Sequence, residues 1–195
     1  MFVSKKEKCD HAIAHYSKLI KSNPNDYRAY NNRGNAYQQR GDFDLSLVDY
    51  NEALELNPSF DLCYINRGNA YQKTGNYERA VADYDKAIAL NPENSMAYNN
   101  RGFAYMLMQK SDEAERDIKK SIELNPNNIY ALNSMAEFYA VLGNALDACK
   151  WLRKAIDKGY NNWAYIKTSG TYNNIRAAAC FKEIITKGER LKAKG

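Results

Sequence analysis

The sequence predicts an all-α protein built as a solenoid of tandem helix–turn–helix repeats, and three observations carry that prediction. All four prolines, Pro24, Pro58, Pro92 and Pro126, lie at intervals of 34 residues. Glycines recur midway between them at Gly41, Gly75 and Gly143. Between these breaks the apolar residues are spaced at helical rather than alternating intervals. A fixed period of roughly 20–50 residues marks units that cannot bury an apolar face alone and stack on their neighbours to do so.

The elements follow in order. Residues 1–26 read as a single N-terminal helix, half a repeat, with Cys9, Ala12, Ile13, Tyr16, Leu19 and Ile20 along one stripe and Pro24 at its end. Four repeats follow at 27–60, 61–94, 95–128 and 129–162, the last degenerate at its end, where Tyr160 takes the proline slot. The first two agree at 15 of 34 positions. Each Asn-Pro pair (57–58, 91–92, 125–126) ends a helix, because the residue before proline is driven out of the α region. The central glycines suit a tight turn with φ > 0, and Gln109 in the third repeat predicts a slightly different turn there. Residues 163–195 leave the pattern and read as capping helices with a basic tail. In them Trp163, Ile166, Ile175, Phe181, Ile184 and Ile185 are placed to cover the open face of the fourth repeat.

Composition narrows the function. The net charge is +5, with a mildly acidic middle and a basic tail, which is not the coat of a nucleic-acid wrapper. No apolar run approaches the ~18 residues of a membrane span, and the N-terminus lacks a secretory h-region, so a cytoplasmic protein is expected. Cys9, Cys63, Cys149 and Cys180 are scattered, which gives no support to a disulfide framework or a zinc knuckle. His11 and His15 share a helical face, but with no third ligand at metal-site spacing they predict no metal. No nucleophile–base set, phosphate loop or carboxylate pair stands out, so neither enzyme activity nor a cofactor is expected.

The repeats carry a recurring pattern: Tyr30, Gly34, Tyr37, Ser46, Tyr50, Ala53, Pro58 in the first, Tyr64, Gly68, Tyr71, Ala80, Tyr84, Ala87, Pro92 in the second, and Tyr98, Gly102, Tyr105, Ala114, Ile118, Ser121, Pro126 in the third. This resembles the tetratricopeptide repeat family. The resemblance implies a right-handed α-solenoid whose first helices line a concave groove, and a protein-interaction scaffold rather than an enzyme.

Two sets of residues stand out within that frame. Arg33, Arg67 and Arg101 fall between core aromatics, where a charge needs a partner. Asp49, Asp83 and Asp117 occupy one equivalent position on the second helix, and the fourth repeat replaces both charges together with Met135 and Trp151. An Arg–Asp pair within each repeat is therefore expected. The second set faces the groove: Asn31, Asn32, Asn35 and Gln38, then Asn66, Asn69, Gln72 and Lys73, then Asn99, Asn100 and Phe103, then Asn133. Amides both donate and accept, so a ladder of them at Asn32, Asn66 and Asn100 is suited to gripping peptide backbone without reading sequence. Met96, Phe103, Met106 and Leu107 add an apolar patch at the third repeat.

The expected partner is thus a protein or peptide, with no nucleic acid and no membrane. Two alternatives stay open. The first is the carboxylate clamp of tetratricopeptide co-chaperones, whose amide positions match Asn35 and Asn66 but whose charged positions here hold Asn31, Met96 and Asn100. The second is a component of a larger array, or a self-associating one, joined through the N-terminal edge.

Overall fold

The structure is a computed structural model that describes residues 4–192. The ends of the chain, including the last three residues of the expected basic tail, lie outside the described residues. Eleven α-helices and one 3-10 segment are formed, with no strand among the described residues. They are α1 (Lys5–Ser22), α2 (Tyr27–Arg40), α3 (Phe43–Leu56), α4 (Asp61–Lys73), α5 (Tyr77–Leu90), α6 (Ser95–Leu107), α7 (Ser111–Leu124), α8 (Ile129–Val141), α9 (Ala145–Asp157), α10 (Trp163–Thr168), the 3-10 segment Gly170–Ile175, and α11 (Ala179–Lys192). No helix among the described residues is long and apolar enough to cross a membrane.

The local chemistry of each boundary is legible. At Asn57, Asn91 and Asn125 the backbone turns out of the helix, with φ of −143°, −141° and −142°. Their side chains accept from the backbone N–H two residues on, at Ser59, Glu93 and Asn127, closing an Asx turn around each proline. The next helix is then capped by Asp26, Asn94 or Asn128, each accepting from two backbone N–H groups of the first turn. Phe60 takes this slot before α4 without a side-chain cap and packs edge-on against Tyr27 instead. The turns between paired helices hold Gly41, Gly75 and Gly143 at φ of 100°, 82° and 74°. Gln109 adopts φ 60° in the same place, so the third turn keeps the left-handed conformation with a side chain rather than taking a different one.

Two compact units divide the chain within α6, Met1–Ala104 and Tyr105–Gly195. In the first, α2 pairs with α3 and α4 with α5, and α1 packs on α2. Tyr50, Ala53, Leu54, Cys63 and Ala70 form one buried cluster and Ile65, Ala80, Tyr84, Ala87 and Ala97 another. In the second unit α8 pairs with α9, α7 packs on α8, and α11 packs on α9. Its core joins Leu132, Ala136 and Leu152 to Ile166, Tyr172, Ile175, Phe181 and Ile184, with Trp163 and Ile185 packed against it, so the C-terminal residues do cover the fourth repeat.

Two features of this unit depart from the sequence expectation. The capping helices keep the period: α10 and α11 start 34 residues after α8 and α9. The fifth first-type helix breaks after six residues, and the 3-10 segment that follows packs directly on α8. Second, Cys149 and Cys180 form a disulfide that ties α9 to α11. Nothing in their 31-residue spacing announces it. Disulfides persist in oxidising compartments, so this bond gives no support to the expected cytoplasmic location.

Candidate peptide-binding face

In the first unit the arginines are held by two forks. Arg33 donates through Nε and Nη2 to Asp49 at 2.8 and 2.7 Å, and Arg67 does the same to Asp83 at 2.9 and 2.7 Å. Asp49 and Asp83 are buried, so each carboxylate depends on this bidentate partner. The hydrogen bonds to the aspartates hold both guanidinium groups above their ordinary pKa. The remaining Nη1 of each arginine reaches back one repeat, from Arg33 to Ser17 at 3.1 Å and from Arg67 to Asn51 at 2.8 Å. Arg101 follows with Nη1 to Asp85 at 2.6 Å, and Asp117 is buried. Each guanidinium also lies over a tyrosine of its own helix: Tyr30, Tyr64 or Tyr98. The arginine therefore joins two repeats as well as two helices, a role the sequence spacing alone did not reveal.

The amide stripe is built on the same helices, and much of it is engaged within the chain. The Tyr50 hydroxyl donates to Asn35 Oδ1 at 2.8 Å with Gln38 Oε1 beside it at 2.9 Å; Tyr84 repeats this with Asn69 at 2.8 Å and Gln72 at 3.3 Å. Both hydroxyls are pushed above the ordinary tyrosine range by burial. A second set of bonds runs between first helices. Asn66 Nδ2 donates to Asn31 Oδ1 at 2.9 Å, and Asn100 Nδ2 donates to Asn69 Oδ1 at 2.8 Å. Along α2 and α6 the series continues with Asn31 to Asn32 at 3.2 Å and Asn99 to Asn100 at 3.3 Å. The ladder exists, and its rungs are internal hydrogen bonds that register one repeat on the next.

Exposure sorts the expected site residues. Lys73 is exposed, and Asn32, Asn35, Gln38, Asn66, Asn69, Gln72, Asn100 and Phe103 are half-buried. Asn31 and Asn99 are only 5% and 6% exposed, so they present little surface to a ligand. Asn133, in the second unit, is 4% exposed; it donates to Glu137 at 2.7 Å and accepts from Tyr172 at 2.8 Å. The 3-10 segment occupies its face, which removes Asn133 from any groove. Met106 of the expected apolar patch is buried, while Met96 is half exposed. One atom breaks the pattern of satisfaction: the buried Oδ1 of Asn99 has no hydrogen-bond donor.

Sequence reasoning missed Glu137. It is 1% exposed and accepts from Asn133, from Tyr165 at 2.7 Å and from Thr171 at 2.6 Å. Burial raises its pKa to about 7 against the lowering effect of the Thr171 and Tyr165 bonds. Its place in the amide stripe was visible, but the C-terminal segment folding over it was not.

Comparison with known proteins agrees with this architecture. Two family models described as tetratricopeptide repeat match residues 27–60 and 95–128, and 49–82 and 118–150; one described as TPR repeat matches 5–41 and 68–109. No curated protein matches the chain significantly. Among solved structures, MamA is 26% identical over 81% of this chain and 96% of its own, with a TM-score of 0.66. The first TPR of Spaghetti (RPAP3), bound to the HSP90 peptide SRMEEVD, is 30% identical over 60% of this chain and 92% of its own, with a TM-score of 0.57. A thermophilic TPR protein of Thermus thermophilus, TTC0263, is 21% identical over 80% of this chain and 86% of its own, with a TM-score of 0.71.

Proposed function

Because the chain belongs to the tetratricopeptide repeat family, we propose that it is a non-catalytic interaction scaffold that holds an extended peptide or protein segment along the first-helix face of α2, α4 and α6. The half-exposed amides of the first helices carry the reading: Asn32, Asn66 and Asn100 stand one repeat apart with part of each side chain open to solvent. An amide can both donate to and accept from the backbone of a bound segment. Lys73 adds an exposed cation beside them, with Phe103 as an apolar contact.

A similar fold bound to an HSP90 peptide raises the carboxylate-clamp alternative. The residues here favour backbone recognition. Carboxylate capture relies on charge-assisted bonds, whereas the corresponding charged positions hold the buried Asn31, the apolar Met96 and the amide Asn100.

A random peptide display library panned on the intact chain tests the proposal. Selected peptides should lose at least tenfold in affinity on Asn66→Ala and on Asn100→Ala, in variants whose unfolding transition stays cooperative. Their binding should change little between low and high salt. Peptides that all end in a free carboxylate and dissociate as salt rises would favour the clamp, and peptides indifferent to both variants would place the site elsewhere.

A further inference from the structure

The first helix, α1, carries the positions of a second-type helix. Counting 34 residues back, Ala12 corresponds to Ser46 and Ala80, Tyr16 to Tyr50 and Tyr84, and Leu19 to Ala53 and Ala87. In the two following repeats all six of these are completely buried. In α1 Leu19 is 39% exposed, and Ala12 and Tyr16 are half-buried. The difference lies in what covers them. The slot between α3 and α4 is filled by α2, which lays Gly34 on the Tyr50 ring and offers Asn35 and Gln38 to its hydroxyl. The slot between α1 and α2 is instead an open cleft of about 330 Å³, lined by Lys5, Lys8, Ala12 and Tyr16 on one side and Asn32 and Ala36 on the other.

The amide ladder points to the same slot. Asn66 and Asn100 each donate to an amide on the preceding first-type helix. Asn32 stands at the equivalent position and faces the cleft, so the first rung of the ladder is to be completed by whatever enters it.

We propose that this cleft docks an amphipathic helix of another protein with the chemistry of a first repeat helix. That helix sets a glycine on the Tyr16 ring and an amide one residue later, in reach of the Tyr16 hydroxyl and Asn32. It places acidic residues toward Lys5 and Lys8 at the rim. The requirement for a small residue follows from the internal copies: a methyl group added at Gly34 or Gly68 would approach the ring carbons of Tyr50 or Tyr84 to 2.7 Å. The lysines set the preferred charge, since a rim cation steers and orients an acidic partner. The proposal does not depend on the amide face of α4 and α6 binding a peptide.

The probe is a fluorescent, hydrocarbon-stapled peptide with the sequence of residues 60–74, which carries the glycine and amides in helical form. Titrated with the intact chain, it should show a saturable rise in anisotropy. Ala12→Trp in the protein fills the cleft and should weaken binding at least tenfold. Gly68→Val in the peptide should do the same without touching the protein, which covers the case in which the tryptophan variant fails to fold. No saturable binding, or equal binding by the valine peptide, overturns the proposal. Sedimentation of the chain alone gives the remaining outcome: a dimer abolished by Ala12→Trp makes a second copy the occupant and also overturns it, whereas a monomer at all concentrations supports a separate partner.

Discussion

Gly68 lies directly on the ring of Tyr84: a Cβ built at Gly68 would sit 2.7 Å from Tyr84 Cε1 and 3.0 Å from Cζ. The ring has no room to yield. Tyr84 is completely buried, and its hydroxyl is tied to Asn69 and Gln72 on the same helix as the glycine. Gly68→Ala therefore sets two effects against each other. Alanine gains up to about 1 kcal/mol of helix propensity, while overpacking a full core costs about 1–3 kcal/mol. Overpacking wins, and urea denaturation should show a net loss of about 1–2 kcal/mol. The fourth repeat supports this, since it pairs Ala136 with Leu152 where the first two pair Gly with Tyr and the third pairs Gly102 with Ile118. Gly68→Ala combined with Tyr84→Leu should accordingly lose less than the sum of the two singles.

The Arg67–Asp83 fork gives a second prediction. Asp83 is 5% exposed, so Arg67→Met strands a buried carboxylate and should cost about 3 kcal/mol. Replacing both charges, Arg67→Met with Asp83→Leu, should recover most of that loss, because a matched apolar pair carries no desolvation penalty. The fourth repeat already uses an apolar pair there, with Met135 fully buried. A double-mutant cycle by chemical denaturation reads the coupling directly. Additive single losses would mean that the fork contributes nothing as a pair.

Gln109 marks a site where the sequence departs from the repeat and the backbone does not. A non-glycine residue at φ 60° costs about 1 kcal/mol through Cβ crowding. Gln109→Gly should raise stability by about 0.5–1 kcal/mol, measured as a shift in the denaturant midpoint with an unchanged slope. A loss instead would show that the glutamine side chain contributes contacts that outweigh the strain.

These residues also show what was legible in the chain and why the rest was not. The Arg33–Asp49 and Arg67–Asp83 pairs were readable because internal repeats act as a small alignment: both charges vanish together in the fourth copy. The tyrosine–amide bonds carried a similar trace. Asn35 and Gln38 precede Tyr50 by 15 and 12 residues, and Asn69 and Gln72 precede Tyr84 likewise; before Ile118, which has no hydroxyl, the same places hold Phe103 and Met106. The sequence pattern assigned those amides to a groove because helical periodicity orders residues around an axis but does not say how near the next helix comes. The fate of Asn133, the Cys149–Cys180 bond and Glu137 lay beyond periodicity altogether. All three depend on how residues 163–192 fold back, and there the repeated pattern of side chains has lapsed although the helix starts keep its spacing.

Glu137 makes the folding of that C-terminal segment depend on pH. Its carboxyl is buried beneath Tyr165, Thr171 and Tyr172, and its pKa rises from 4.5 to about 7. Because the folded-state value is the higher one, the native protein binds more protons than the unfolded chain between these two pH values. Stability then falls as pH rises through that window, and the penalty is fully present above about pH 7. A shift of this size corresponds to about 3 kcal/mol. Glu137→Gln removes the titration while keeping the hydrogen bonds: its Oε1 accepts from Tyr165 and Thr171, and a flipped Asn133 amide accepts from its Nε2 while donating to Tyr172. The variant should match the wild type near pH 4.5 and exceed it by about 2–3 kcal/mol at pH 8, measured by chemical denaturation across the range. A constant difference between the two proteins at every pH would show that Glu137 titrates alike in the folded and unfolded states.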